Sequence, residues 1–350
     1  MTAARWAELK QQLIAAAPEL GIDKIGFTSA DSFDELRGIL LRHREQGFES
    51  GFEHPDLDER TTPSRLLPEA KSIIAIAVAY PSKMVNPPKS EPGAYRGILS
   101  RSAWGEDYHL AMRRRLSKLE AWLRERVEDV RTESMVDTGA LVDRAVAERA
   151  GVGFVGHNCS VITDEFGSWV YLGELITNIP FEPDEAVQDS CGDCRICIDA
   201  CPTDALVGFG QLNAQKCVSY LTQTKGVLPD EYKKKIGNRL YGCDTCQIVC
   251  PKNRGKHFTH HQELTPDPEI VKPLLKPLLQ LSNKEFKRIY GTSAAAWRGK
   301  NPIQRNAIIA LGNFRDQSAR PLLEELLKND PREAIRDACE WALAQLNSVE

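Results

Sequence analysis

From Ser72 to Tyr80 the chain reads Ser-Ile-Ile-Ala-Ile-Ala-Val-Ala-Tyr, apolar at both alternating sets of positions, which predicts a strand buried on either face. Around it, apolar residues return every three or four positions over Trp6–Ala17, Phe33–Gln46 and Tyr108–Val127, the period of helices with one face in a core. A further helix is expected at about Ala140–Arg149, ending at Gly151 and Gly153, with strands at Ser160–Thr163 and Trp169–Ile176. The stretch from Pro81 to Gly93 holds four prolines and predicts a loop. Residues 1–180 thus read as one mixed α/β unit. Residues 181–262 lose the periodicity and become short, cysteine-rich and loop-heavy, and residues 263–350 regain it as helix alone. There Arg305-Asn-Ala recurs as Arg336-Asp-Ala, 31 residues on, each followed by an Ala-Leu pair, with the amphipathic Arg320–Lys328 between them. Such spacing suggests a small HEAT-like stack, and an ordinary helical bundle is the alternative. The fold class expected is α+β in three parts.

Composition narrows the chemistry. The 350 residues are 42% hydrophobic and 27% charged, with a net charge of −4, so a nucleic-acid partner would need a local basic patch. The first residues enter an amphipathic helix rather than an export signal, and no stretch approaches the ~18 apolar residues of a membrane span. A cytoplasmic, membrane-free protein is expected. In that compartment ten cysteines are poor candidates for disulfides, and eight of them lie within residues 191–250. Metal ligation is the better explanation.

The run Cys191-Gly-Asp-Cys194-Arg-Ile-Cys197-Ile-Asp-Ala-Cys201-Pro202 has the bacterial ferredoxin spacing, in which the fourth cysteine serves the other of two clusters. A second set follows in Cys243-Asp-Thr-Cys246-Gln-Ile-Val-Cys250-Pro251, with Cys217 supplying the missing ligand. Crossing the fourth ligands gives Cys191, Cys194, Cys197 and Cys250 for one 4Fe–4S cluster, and Cys201, Cys217, Cys243 and Cys246 for the other. Zinc also takes C-x2-C pairs, but it leaves the x2-x2-x3-Pro run unexplained. A free ferredoxin needs only this module, so the long flanks point to an enzyme built around it.

Several stretches outside the module carry a family resemblance: Arg101-Ser-Ala-Trp-Gly-Glu-Asp-Tyr-His109, Val136-Asp137-Thr-Gly-Ala, Ala150-Gly-Val-Gly-Phe-Val-Gly-His-Asn158 and Phe166-Gly-Ser-Trp-Val-Tyr-Leu-Gly-Glu-Leu-Ile176. In this order, with the cysteine array and a helical tail, the chain resembles the epoxyqueuosine reductases nearly end to end. The resemblance implies removal of the epoxide oxygen from epoxyqueuosine at the tRNA wobble position, using cobalamin and two 4Fe–4S clusters fed by an external low-potential donor. It implies a nitroreductase-like corrinoid domain, and a monomer is expected. It also points to Asp137 as the acid that protonates the departing oxygen, a role for which burial should hold the carboxyl pKa up. The plainer alternative is that Asp137 caps the helix near Ala140. By family position, Arg60, Ser100, Asn158 and Ser160 are candidate cobalamin contacts, with Ser219, Gln223 and Asp244 reaching its edge from beside one cluster. Asp107-Tyr-His109-Leu-Ala-Met112 lacks the glycine of a cobalt-binding D-x-H-x-x-G loop, so no protein imidazole on cobalt is expected. His157 stands where members usually carry lysine, putting any contact of a fixed ammonium in doubt. Cys159 and Cys339 are expected to be packing residues.

A tRNA enzyme of net negative charge needs concentrated basic surface. Lys284, Lys287, Arg288, Arg298, Lys300 and Arg305 supply it against Glu285 alone, with Tyr290 and Trp297 available for stacking on unpaired bases. Lys233-Lys-Lys235 with Arg239, and Lys252, Arg254 and Lys256, form lesser runs. Two rivals remain at this stage: a reductive dehalogenase-like corrinoid enzyme acting on a small organohalide, and an electron-transfer or tRNA-binding protein without a catalytic centre.

Overall fold

The computed structural model describes residues 2–347. Its first part is built on a four-stranded antiparallel sheet in the order Lys24–Ser29, Ser72–Ala79, Val170–Thr177, Thr132–Met135. The all-apolar strand takes an inner position, as its pattern requires, and every one of its residues is buried. Ile74, Ile76 and Val78 pack with Leu13 and Met112, Leu116 and Leu119 on one face. Ile73, Ala75 and Ala77 meet Val146, Ala147 and Phe33 on the other. The helices responsible are Ala3–Ala16 and Tyr108–Arg124 on the first face, and Asp143–Arg149 on the second. Cutting a core isoleucine such as Ile74 to alanine should cost about 2–5 kcal/mol.

Two of the four strands, Lys24–Ser29 and Thr132–Met135, lack a clear apolar alternation, and the sequence reading did not anticipate them. Gly26 and Thr28 interrupt the first, and three of the four residues of the second are exposed or half-exposed. Pairing with better-patterned neighbours decides their conformation.

The cysteine-rich segment runs through short turns and single helical turns. Its strand Arg239–Tyr241 pairs in parallel with Ile98–Leu99. The carboxyl-terminal helices Asn283–Tyr290, Lys300–Asn313, Arg320–Asn329 and Glu333–Asn347 share one core with Leu99 and Trp104 and with Val218, Leu221, Ile236 and Leu240 of the cysteine-rich segment. The Lys300–Asn313 helix is buried on all sides from Pro302 to Gly312, so it is the centre of this unit. Its polar residues bind backbone rather than water. Asn306 donates to the carbonyls of Thr222 and Leu240, and Asn313 to those of Lys233 and Gly237. Irregular loop carbonyls that lack a ladder partner are satisfied in this way, which fixes the cysteine-bearing loops against the helices.

Candidate active site and metal centres

Each arm of the cysteine array closes on one helical turn, Ile196–Asp199 or Thr245–Ile248. The chain folds four sulfurs around each of two cavities. Cys191, Cys194, Cys197 and Cys250 line one of about 230 Å³, while Cys201, Cys217, Cys243 and Cys246 line one of about 70 Å³. Burial and neighbouring sulfurs push the Cys197 thiol up to about 11, and burial does the same at Cys217. Four thiolates can therefore share such a cavity only around a cationic core. Zinc would draw its sulfurs to about 3.8 Å apart, from bonds of ~2.3 Å. Among the described residues, ligand atoms come within 4.8 Å in threes at Asp23, His260 and His261, and at no trio of cysteines. Asn158 lines both cavities, and its buried Nδ2 has no protein acceptor, leaving a donor for cluster sulfur. These features fit two cubanes.

Gly242 shows how closely the second arm is set. Its φ is +71°, and a Cβ there would stand 2.1 Å from Ser100 Oγ, so glycine lets the chain turn into Cys243 against Ser100.

Beside the second cavity opens a pocket of about 370 Å³. Cys159 and Gln247 belong to its wall, and Cys159 also lies close enough to Cys246 for their charges to interact. Gln247, next in sequence to Cys246, donates to Ser168 O at 2.8 Å and to Tyr80 Oη at 3.3 Å, tying the array to the sheet. Asp137 stands in this pocket at φ +52°, in the left-handed region. The helix that follows begins at Asp143 with Val142 at its cap position, so Asp137 does not cap it. Its backbone N–H donates to Asp143 Oδ2 at 2.8 Å. Its Oδ2 accepts from Tyr108 Oη at 2.5 Å and faces His109 Nε2 at 3.3 Å. His109 Nδ1 in turn lies 2.8 Å from Asp107 Oδ1. The Asp107 side chain caps the Tyr108–Arg124 helix, so this cap places both Tyr108 and His109.

The charge pattern departs from the expectation for Asp137. The Asp137 side chain is 58% exposed, so the pocket walls desolvate it only in part and push its carboxyl up weakly, and the hydrogen bonds of His109 and Tyr108 leave the pKa below the ordinary carboxylate value. The proton sits instead on His109, whose pKa rises to about 9 through its bonds to Asp107 and Asp137. Behind the loop, burial and the nearby Asp137 raise Asp143 to about 7. Glu174 is fully buried beside Asp143, and burial, together with that neighbouring carboxyl, lifts it well above the carboxylate range. Neither His109 nor Glu174 was assigned a place in the site from sequence. Asp107 and His109 were weighed only as a cobalt-binding loop, whereas Glu174, a charged residue inside the apolar run Val170–Ile176, gave a signal of its own.

The other candidates fall into three places. Arg60 and Ser160 line the pocket, Arg60 being buried and 3.5 Å from Glu49. Ser100 and Asp244 lie instead on a separate cavity of about 490 Å³, where Asp244 is ion-paired to Arg101 at 2.8 Å. Asn158 lines the two cysteine cavities, next in sequence to Cys159 and Ser160 of the pocket wall. Gln223 donates to Ser219 O and accepts from Trp297 Nε1 at 2.7 Å. His157 meets Cys194 O through Nδ1 at 2.8 Å, so the residue in the lysine position packs against the first cavity.

On the expected RNA face, Lys284, Lys287 and Arg288 are exposed along one helix. Arg298 lies over the rings of Phe52 and Trp297, at 5.1 and 4.8 Å. Lys300 Nζ is bound to Leu281 O. Three expectations are overturned. Arg305 is 1% exposed, with its guanidinium spent on the carbonyls of Leu221, Thr224 and Gly226 and on Asn306, so it holds the core together. Tyr290 is buried and cannot stack on a base. Lys233 is buried between Asp230 and Asp337. Phe52, missed from sequence, is exposed and packs edge-on to Trp297 at 5.0 Å. An aromatic in a short polar loop carries no periodicity to mark it.

Among the described residues, no helix is long and apolar enough to cross a membrane. Comparison with known proteins gives three family matches: "Epoxyqueuosine reductase QueG, DUF1730" at residues 60–138, a 4Fe-4S double cluster binding domain at 190–253, and HEAT repeats at 295–350. The epoxyqueuosine reductase of Bacillus cereus is 58% identical over 97% of this chain and 89% of its own length. A solved epoxyqueuosine reductase with an epoxyqueuosine-modified tRNA-Tyr stem loop is similar at a TM-score of 0.96 and 58% identity, covering 98% of this chain and 91% of that one. The Bacillus subtilis enzyme, solved with its catalytic aspartate loop swung out of the active site, is similar at 0.96 and 57% identity over the same shares.

Proposed function

The chain belongs to the epoxyqueuosine reductase family, and we propose that it reduces epoxyqueuosine to queuosine at the tRNA wobble position, with Asp137 giving a proton to the departing oxygen. The observation that carries this reading is the nearness of the Asp137 pocket to the second cysteine cavity: Cys159 and Gln247 in the pocket wall adjoin Asn158 and Cys246 of the cavity in sequence, and Cys159 lies close enough to Cys246 for their charges to interact. Electrons handed along the two clusters thereby arrive beside the acid. Cys191, Cys194, Cys197 and Cys250 would hold one 4Fe–4S cluster, and Cys201, Cys217, Cys243 and Cys246 the other.

The pocket also suits a corrinoid. Leu141, Val142, Val161, Val170 and Leu172 offer an apolar wall, and Arg60, Arg144 and Ser160 offer polar groups for amide arms. Bound there, cobalamin would supply a nucleophile that delivers two electrons at once. The chain's own residues do the rest. Tyr108 and Asp143 fix the Asp137 loop, and the catalytic aspartate loop that swings out in the Bacillus subtilis relative supports a loop of this kind here.

Residues 1–180 would carry catalysis, 181–262 the electron path and 263–350 much of the RNA grip, with an external low-potential donor feeding a monomer in the cytoplasm, where its tRNA substrate is found. Lys284, Lys287, Arg288, Arg298 and Lys300 would meet phosphates, and Trp297 an unpaired base. The test is anaerobic incubation of reconstituted protein with epoxyqueuosine-containing tRNA, cobalamin and a strong reductant, followed by nucleoside analysis. Queuosine is the expected product, and its absence overturns the reading.

A further inference from the structure

Turning an epoxide into an alkene breaks two C–O bonds, forms one π bond and releases the oxygen as water. The change consumes two electrons, which the reductant supplies through the clusters, and two protons. The first proton meets the oxygen as the ring opens, and the second is needed when the resulting hydroxyl leaves as water. A single carboxyl carries one proton at a time, and Asp137 is held as a carboxylate by two donors.

We propose that His109 holds the proton that Asp137 passes to the oxygen, and that the same imidazole, refilled from solvent, supplies the second. His109 Nδ1 is fixed by Asp107 Oδ1 at 2.8 Å, which leaves Nε2 aimed at Asp137 Oδ2 at 3.3 Å. That Nε2 is buried and has no partner other than the Asp137 carboxylate 3.3 Å away, so the carboxylate is where its proton can pass. The ring stacks on Tyr108 at 4.2 Å, and solvent refills Nε2 through the Asp137 carboxylate it faces, whose side chain is 58% exposed. After transfer, Nδ1–H still bonds to Asp107 and Nε2 becomes an acceptor for the next proton.

The charged and titratable groups around the pair favour this arrangement. Asp107 and Asp137 face the imidazole directly, and Arg113 acts on Asp107 from the same helix. Tyr171, from the sheet, and Tyr241, from the cysteine-rich segment, stay protonated because burial raises both. Asp143 lies behind Asp137 and acts on it, not on the ring. The cation is thus held by two carboxylates with no opposing charge in contact.

The inference rests on Asp137 as proton donor, and a pair of variants separates the two claims. His109→Gln keeps a neutral polar group in place and should lower single-turnover reduction about a hundred-fold. It should leave iron content and stem-loop affinity unchanged. The wild-type rate should stay level up to the imidazole pKa of about 9 and then fall, and the variant should lose that limb. Nitrogen NMR of labelled histidine should show one imidazolium persisting to that pH, missing in His109→Gln and shifted down in Asp107→Asn. An unchanged pH profile in His109→Gln, or a ring titrating at its ordinary value, overturns the relay while leaving Asp137 standing. Full activity in Asp137→Asn would remove the donor assignment and the relay with it.

Discussion

Tyr108 Oη donates to Asp137 Oδ2 at 2.5 Å, and the aspartate it holds has a left-handed backbone, with φ at +52°. A non-glycine residue adopts that region readily only if it is Asn or Asp with local bonds to steady it, and here the loop has the phenol in front and Asp143 behind. Asp137→Asn keeps the shape and the backbone bond but removes the transferable proton. Turnover should fall about 10²- to 10⁴-fold with iron content unchanged. Nucleoside formation in a single turnover measures it, and a wild-type rate would rule out the acid role.

The exposed pair Phe52 and Trp297, with Arg298 over both rings, joins the first part of the chain to the last. Base stacking on aromatic and guanidinium faces is worth ~1–3 kcal/mol per base. Phe52→Ala and Trp297→Ala should each weaken binding of a modified stem loop by roughly thirty-fold, near the middle of that range. Fluorescence titration at fixed salt tests this. Wild-type affinity in both variants would mean the platform does not touch RNA.

Exposure separates the basic residues that sequence could only pool. Replacing Lys284, Lys287 and Arg288 together with glutamine should flatten the salt dependence of RNA binding by about 2 in log–log slope. Arg305→Met should leave that slope alone while lowering the melting temperature, because it strands buried carbonyls of the cysteine-rich loops. A slope change in Arg305→Met would contradict its burial.

What the sequence made legible follows from where the information is local. The Ser72–Ala79 strand and the Tyr108–Arg124 helix were readable because their apolar period is strong and unbroken. Cysteine spacing is also local, so the two groups of sulfurs could be proposed from spacing alone. Arg305 could not be placed, because a charged residue in a helix looks the same whether it meets water or a ring of buried acceptors. His109 was considered only as a metal ligand, since its link to Asp137 spans 28 residues and arises from packing alone.

Cys217 stands apart from both sequence runs yet lines the smaller cavity with Cys201, Cys243 and Cys246. Cys217→Ala should therefore damage one cubane and spare the other, leaving about half the iron, since each cubane takes four thiolates. Iron and sulfide assay of anaerobically prepared protein decides it. Full iron content would mean that another ligand completes the second cluster.

Asp143 gives the fold a pH dependence of its own. Burial, with Asp137 nearby, raises its pKa from 3.8 to about 7. Between those values the folded chain keeps a proton that the unfolded chain releases, so protonation favours folding at the acid end. Stability from this group is present below the unfolded value and is lost as pH rises towards about 7. Asp143→Asn can still accept the Asp137 N–H through its amide oxygen, but it cannot titrate. Melting curves of the loaded protein at about pH 5.5 and about pH 7.5 should differ less in the variant, by on the order of 1 kcal/mol once water in the pocket is allowed for. Identical pH dependence in the two proteins would show that Asp143 titrates as an ordinary surface carboxylate.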